Sequence, residues 1–398
     1  MIGKPTHMRH HGRITLHSHI LYTILVIGFI YTLHFTLPIY IASSFLGSFT
    51  SESTVGLIYA FGSAMTIVGF LLINGILSRF GNKNTSLWLI IIQGFLTYGI
   101  MTTESFKLLA TFFIIQTAIV AMIGFNLDIF IEAYSDVQHI GSIRGLYLTV
   151  TNVAWILAPL LGGAIVDGNH YQRVYMAAFG LLFVLYYIVH KNFNRFHDPK
   201  YPHITIMNTL RHIAKNHDIS KIFIANIILQ SFYAWMTIYT PIYLNTVIGL
   251  SWQSIGVIFT VMLIPFVIFQ LPAGKLADRK WGEKELMTLG FIIVGLSTFF
   301  ISYIHSSNIV IWAGILFITR IGASVAEVMI ETYFFKKVDK RESNVLSIFR
   351  ITRPIAYFIA PIITGIGMIY TSYAGLFMIL GIVVLCGLFF TLTIKDTN

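Results

Sequence analysis

What most constrains this chain is a succession of twelve long apolar runs. They lie at about residues 20–44, 54–78, 85–103, 107–134, 144–166, 172–190, 221–247, 253–275, 286–305, 309–335, 345–369 and 372–394. A helix needs about 20 apolar residues to cross the hydrocarbon of a bilayer, and these runs have that length. Charged residues make up only 11% of the chain, against about 25% in a soluble domain. The first run is longer than the roughly 7–15 residue core of a cleaved signal, so it reads as a retained span. An all-α polytopic membrane protein follows. The single cysteine, Cys386, excludes a disulfide framework.

Basic residues orient the spans. With the N-terminus inside, 21 of the 26 lysines and arginines fall in cytoplasmic segments. Lys107 and Arg173 fall outside, and Arg320, Arg350 and Arg353 lie within runs. The net charge of +10 is thus a topology signal and calls for no nucleic acid. Both termini are expected in the cytoplasm, and the protein in the cell (plasma or inner) membrane. The longest polar segment, residues 191–218, reads as a cytoplasmic linker. Ile206, Leu210 and Ile213 in it, with Arg211 and Lys215 on other faces, have the spacing of an interfacial amphipathic helix.

The halves repeat. Pro38-Ile39-Tyr40 matches Pro241-Ile242-Tyr243, and Gly56 matches Gly256. Asp128 and Glu132 match Glu327 and Glu331, and Ala158-Pro159 with Gly163 matches Ala360-Pro361 with Gly365. Six spans repeated in one orientation predict two parallel bundles, residues 1–190 and 219–398, related by an axis along the membrane normal.

Four motifs in this frame carry a family resemblance. Gly274-Lys275-Leu276-Ala277-Asp278-Arg279 follows the eighth run, and its first-half copy, Gly75-Ile76-Leu77-Ser78-Arg79, lacks the Asp. Glu132-Ala133-Tyr134-Ser135-Asp136 precedes Arg144-Gly145, and Ala158-Pro159-Leu160-Leu161-Gly162-Gly163 lies in the fifth run. Together they resemble the major facilitator superfamily, in character its bacterial drug/proton antiporter-like members. The resemblance implies a cytoplasmic gate at Arg79, Asp136, Arg144, Asp278 and Arg279. Two departures weaken a drug-efflux reading: Gln116 stands where such antiporters carry an arginine, and the first span has no acidic residue. Read without the family, these stretches are cytoplasmic turns, surface ion pairs and close helix packing.

The polar residues inside the runs give the candidate site. The spans that open each half line the cavity in this family. That implies Tyr31, His34, Gln230, Trp235 and Tyr239 near the substrate; the bland alternative is helix packing. Depth follows from about 1.5 Å of rise per residue. Glu327 and Arg353 then sit level, as do Glu331 and Arg350, which predicts two salt bridges. Asp128 is level with uncharged Asn152 and Thr151. Asp128 or Glu327 is the candidate proton carrier, with fixed structural bridges as the alternative. Arg320 has no carboxylate at its depth and is the candidate for an anionic substrate group.

No phosphate-binding loop appears, so ATP-driven transport is not expected; no metal-ligand cluster appears either, and neither metal nor cofactor is expected. The expected function is proton-coupled export of small organic compounds by a monomeric secondary transporter, not an enzyme. An importer of a sugar, organic acid or other metabolite is the first rival, and a non-transporting receptor or scaffold the second.

Overall fold

The computed structural model describes all residues except 1–7, 135–139, 167, 169, 195, 200, 202–210, 212, 278–280, 338–342 and 396–398. Twelve helices long and apolar enough to cross a membrane occur among the described residues. In order they are α1 (Met8–Thr36), α2 (Glu52–Phe80), α3 (Asn82–Thr102), α4 (Phe106–Tyr134), α5 (Ile140–Ile165) and α6 (Gln172–Asn192). The second six are α7 (His217–Ile242), α8 (Trp252–Leu276), α9 (Gly282–Ile301), α10 (Ile309–Lys337), α11 (Ser343–Tyr370) and α12 (Tyr373–Thr393). A helix is what an apolar run must form in lipid, because it satisfies every backbone polar group within itself.

Local chemistry sets several helix ends. Asn216 Oδ1 accepts from the Ile219 amide at 3.2 Å and starts α7, and Ser251 Oγ accepts from the Ser254 amide at 3.3 Å and starts α8. Such caps take up amides that the first turn leaves free. The repeated Pro-Ile-Tyr triplet ends its two helices differently. Near Pro38 the chain leaves α1 and turns into a short helix, Ala42–Gly47, so the first apolar run is not one rod. Pro241 stays inside α7, and the five residues Tyr243–Val247 follow as a π turn.

Helices α1 to α6 pack mainly on one another, and so do α7 to α12. Two seams join the sets, α2 against α11 and α5 against α8. Both depend on missing side chains. A Cβ on Gly256 would sit 2.6 Å from the Pro159 carbonyl oxygen, and one on Gly163 would sit 2.5 Å from that of Trp252. On the other seam a Cβ on Gly56 would run into the Tyr239 hydroxyl and lie 3.3 Å from Pro361 Cβ. The proline–glycine motif of the fifth run and its second-half copy therefore work at equivalent places, each gripping a glycine of the opposite half. Large apolar side chains such as Phe61, Trp88, Phe183, Leu271 and Ile369 point outward, where a bilayer would cover them.

Candidate substrate and coupling site

Two adjoining cavities lie between the helix sets, with Thr237, Arg353 and Tyr357 in the wall of both. The first, about 380 Å³, is bounded mainly by α1, α2, α4 and α11 and is aromatic, with Tyr31, Phe35, Tyr59, Phe113 and Phe125. The second, about 330 Å³, lies among α5, α7, α8, α10 and α11. It gathers Arg320, Glu327, Glu331 and Arg353 together with Asn152 and Gln230. Each has the size of a small-molecule site, and together they form an aromatic lobe and a charged lobe.

In the charged lobe Arg320 is 2% exposed. Its guanidinium carbon lies 5.1 Å from the Phe232 ring centre and 5.2 Å from that of Tyr233. These are cation–π distances, and such contacts strengthen when desolvated. Its Nε has no hydrogen-bond partner. Glu327 Oε2 accepts from the Tyr233 hydroxyl and from Gln270 Nε2, each at 3.4 Å. Both donors are neutral, and no lysine, arginine or histidine among the described residues comes within 4 Å of this carboxyl. Arg353 stacks over Tyr357 with its guanidinium carbon 5.6 Å from the ring centre.

The predicted salt bridges are not the ones found. Arg350 Nη1 lies 3.3 Å from Asp128 Oδ2, so it pairs across the halves, from α11 to α4. Glu327 takes Tyr233 and Gln270 in place of Arg353. Matching depth pairs two side chains only where their helices are neighbours. In fact α10 and α11 each pack along α7, which lies between them. Asp128 has a cation for a partner where neutral Asn152 and Thr151 were its expected neighbours. Arg320 does not stand apart either, since it shares a lobe with Glu327, Glu331 and Arg353.

Among the expected substrate contacts, Tyr31 lines the aromatic lobe and donates its hydroxyl to the Val120 carbonyl at 2.6 Å. Gln230 lines the charged lobe. His34 is a core residue: it is 1% exposed, with Nδ1 2.9 Å from the Ala178 carbonyl and Nε2 3.0 Å from Gln93 Nε2. That joins α1 to α3 and α6, and His34 is in neither cavity wall. Trp235 and Tyr239 pack with ring centres 4.7 Å apart and planes tilted by 34°. Trp235 packs on Phe377 and Tyr239 on the Gly56 seam, and neither is in the wall of these two lobes.

At the gate, Glu132 is exposed near the end of α4, and Arg79 sits over Phe80 at the end of α2. Asp136, Asp278 and Arg279 lie outside the described residues, as does the side chain of Arg144.

Sequence reasoning missed Tyr233, Gln270 and Asp198. Gln230, Tyr233 and Thr237 fall at i, i+3 and i+7, a single stripe of α7, which was a usable signal. Gln270 is a polar residue in the apolar run between Pro265 and Pro272. Asp198 comes from the linker to the turn between α2 and α3, where the first signature loop lacks its carboxylate. Its Oδ1 accepts from the Asn82 amide at 2.6 Å and from the Tyr201 hydroxyl at 2.5 Å. A carboxylate suits a helix N-terminus. Burial, and after it this bond to Asp198, push the Tyr201 phenol above its ordinary range.

Two sets of six membrane-length helices around a central cavity of mixed aromatic and charged lining define a membrane transporter. A family model described as Major Facilitator Superfamily matches residues 20–261 and again 222–398, and the chain belongs to that superfamily. It is a transporter of that kind rather than an enzyme, which implies a small-molecule substrate and a lipid bilayer around it. A crystal structure of the nucleoside transporter NupG is similar with a TM-score of 0.75 at 12% identity, covering 94% of this chain and 98% of that one. A D323A mutant of NupG gives 0.76 at 14% identity, covering 94% and 99%. An inward-facing, unoccupied bacterial homologue of the human lysosomal transporter Spinster gives 0.72 at 14% identity, covering 95% of each chain. At these identities the likeness concerns the fold. No curated protein matches the chain.

Proposed function

We propose that the protein is a monomeric secondary active transporter of small organic solutes, coupled to protons through Glu327. The halves 1–190 and 219–398 act as the rocking units. The observation that carries the coupling is the position of Glu327: it faces the cavity, between neutral donors, with no cation among the described residues within 4 Å of its carboxyl. Protonation there changes the charge of the substrate lobe directly. Asp128, the other candidate, has Arg350 to hold its charge. With both termini in the cytoplasm of a cell-membrane protein, the glycine contacts of the two seams fall toward the outer end. The outer side is then shut and the cavity serves the cytoplasm.

Export of small organic compounds in exchange for protons is the first reading, and the aromatic lobe supports it. The proline–glycine motif supports it less, because both copies serve the seams. Cotransport of an organic acid with a proton is the second reading, and Arg320, buried with a free Nε in the cavity wall, favours it. Purified protein in liposomes, with an imposed pH gradient and a solute panel, tests both. The direction of proton movement relative to solute separates them, and an absence of any gradient-driven flux refutes coupling.

A further inference from the structure

The charged lobe contains a cation whose hydrogen-bonding edge the protein leaves open. Arg320 is buried, its guanidinium lies against the ring faces of Phe232 and Tyr233, and its Nε lacks a partner. Guanidinium stays charged at any working pH, and a buried cation is costly when carboxylates share its lobe but none is hydrogen-bonded to it. The partner must therefore be something that enters and leaves. A carboxylate or a phosphate matches the guanidinium fork in two parallel hydrogen bonds. The carboxyls of Glu327 and Glu331 line the same lobe and oppose a doubly charged phosphate. A single carboxylate fits better.

The remainder of the solute has a place as well. The charged lobe meets the aromatic lobe at Thr237, Arg353 and Tyr357. A molecule with its acid group at Arg320 extends past these residues toward Tyr31, Phe35 and Phe113. Those side chains receive a ring or a compact apolar body.

From this geometry we propose that the substrate is an aromatic or similarly apolar monocarboxylate, bound by Arg320 through its carboxylate and carried together with one proton. The proposal rests on the second reading above. The charges around Glu327 explain the coupling. Among the described residues they are Arg320 and Glu331 on α10 and Arg353 on α11, with the neutral phenols of Tyr233, Tyr40 and Tyr357; α9 meets α10 at this level through Gly290, Ile293 and Val294, and its Glu283 pairs with Lys336 near the other end of the crossing. Among these four groups, with all ionised, the two arginines and two carboxylates cancel. A proton on Glu327 leaves one positive charge, which one monocarboxylate neutralises. Acid and proton thus bind together, and the loaded cavity is neutral as the bundles rock.

The test uses purified full-length protein and calorimetry on a panel of aromatic monocarboxylates, phenylacetate first, each against its neutral amide and against acetate. Titrations run at about pH 6 and about pH 8, both well above an ordinary carboxyl pKa of roughly 4, in buffers of different ionisation enthalpy so that protons are counted. The acid should bind at least about tenfold more tightly than its amide. It should outbind acetate, take up a proton on binding, and bind more tightly at the lower pH. Arg320→Gln should abolish the preference for acid over amide, and Arg320→Lys should keep part of it. Amides that bind as well as acids overturn the proposal, as does Arg320→Gln with the preference intact. So does a failure of every acid to bind at about 10 mM. If the variants do not fold, the acid–amide comparison on the wild type decides alone. Acid preference without proton uptake overturns the cotransport half and the Glu327 coupling, leaving the solute class. Proton-coupled flux confined to neutral solutes overturns the solute class and leaves the coupling.

Discussion

Breaking the ion pair between Asp128 and Arg350 should shift the balance between the two conformations of the transporter. The pair joins α4 of one half to α11 of the other at 3.3 Å. Asp128 is six residues from the end of α4 and Arg350 seven from the start of α11, so both lie about 10 Å in from the basic-loop end. Rocking of the halves about the cavity must lengthen this contact or remake it. At 3.3 Å and an effective dielectric constant of about 20, Coulomb attraction alone is about 5 kcal/mol. The two side chains are 38% and 39% exposed, and exposed pairs measure nearer 1 kcal/mol or less. A value of about 1 kcal/mol corresponds to about a fivefold change in the ratio of states.

The assay is convenient because the chain has one cysteine, Cys386, and it is exposed. After Cys386→Ser, a label pair placed across the basic-loop end reports the distance distribution by pulsed electron resonance. Asp128→Asn and Arg350→Gln should each move the population by about fivefold in the same direction. The double variant should move it by about as much as one of them, because the second change cannot break the same contact again. Unchanged distributions in both single variants, with transport intact, would refute the idea that this pair is a latch. Strict additivity would refute it too.

Three further outcomes are expected. Gly256→Ala adds a Cβ 2.6 Å from the Pro159 carbonyl and should cost about 1–3 kcal/mol, seen as a lower Tm. Gly75→Ala, where no atom lies within 4 Å, should lose nothing by crowding. His34→Leu removes the partner of buried Gln93 and should destabilise by about 1–3 kcal/mol; solute affinity should be unchanged in surviving protein, and a large affinity loss would return His34 to the cavity. Asp198→Asn weakens the clasp on the first turn of α3 and should lower stability by roughly 1 kcal/mol. The Tyr201 phenol has its pKa raised on folding, so its contribution is complete below the unfolded value of about 10 and fades only at more alkaline pH; a loss of the clasp between pH 6 and 8 in thermal melts would contradict that sign.

Much of the fold is legible in the primary structure for a physical reason. Lipid leaves an apolar run of this length one economical conformation, so the runs became α1 to α12, with most ends shifted by a few residues and the first run broken near Pro38. The proline and glycine repeats were visible too, though only packing shows that Gly56 meets Pro361 while Gly256 meets Pro159. The site was half legible. Residue type and depth brought Arg320, Glu327, Glu331, Arg350 and Arg353 to attention. Depth along one helix gives no information on which way a side chain faces, or on which helices are neighbours. Hence Arg350 was paired with Glu331 when Asp128 of the other half holds it, and Arg320 was set apart from groups whose lobe it shares. His34 looked functional because a titratable group in an apolar run attracts attention, yet Gln93 and the Ala178 carbonyl satisfy it inside the first six helices. Asp198 was invisible because its partner, the Asn82 amide, is over a hundred residues away.

The central claim, that Glu327 carries the coupling proton, is tested most directly by Glu327→Gln in proteoliposomes. Two fluxes are compared: uptake driven by an imposed pH gradient, and exchange of labelled for unlabelled solute at equal pH. The account predicts that gradient-driven accumulation is lost and exchange persists, because glutamine still accepts from Tyr233 and Gln270 but no longer changes charge. Accumulation at the wild-type level in Glu327→Gln would contradict it.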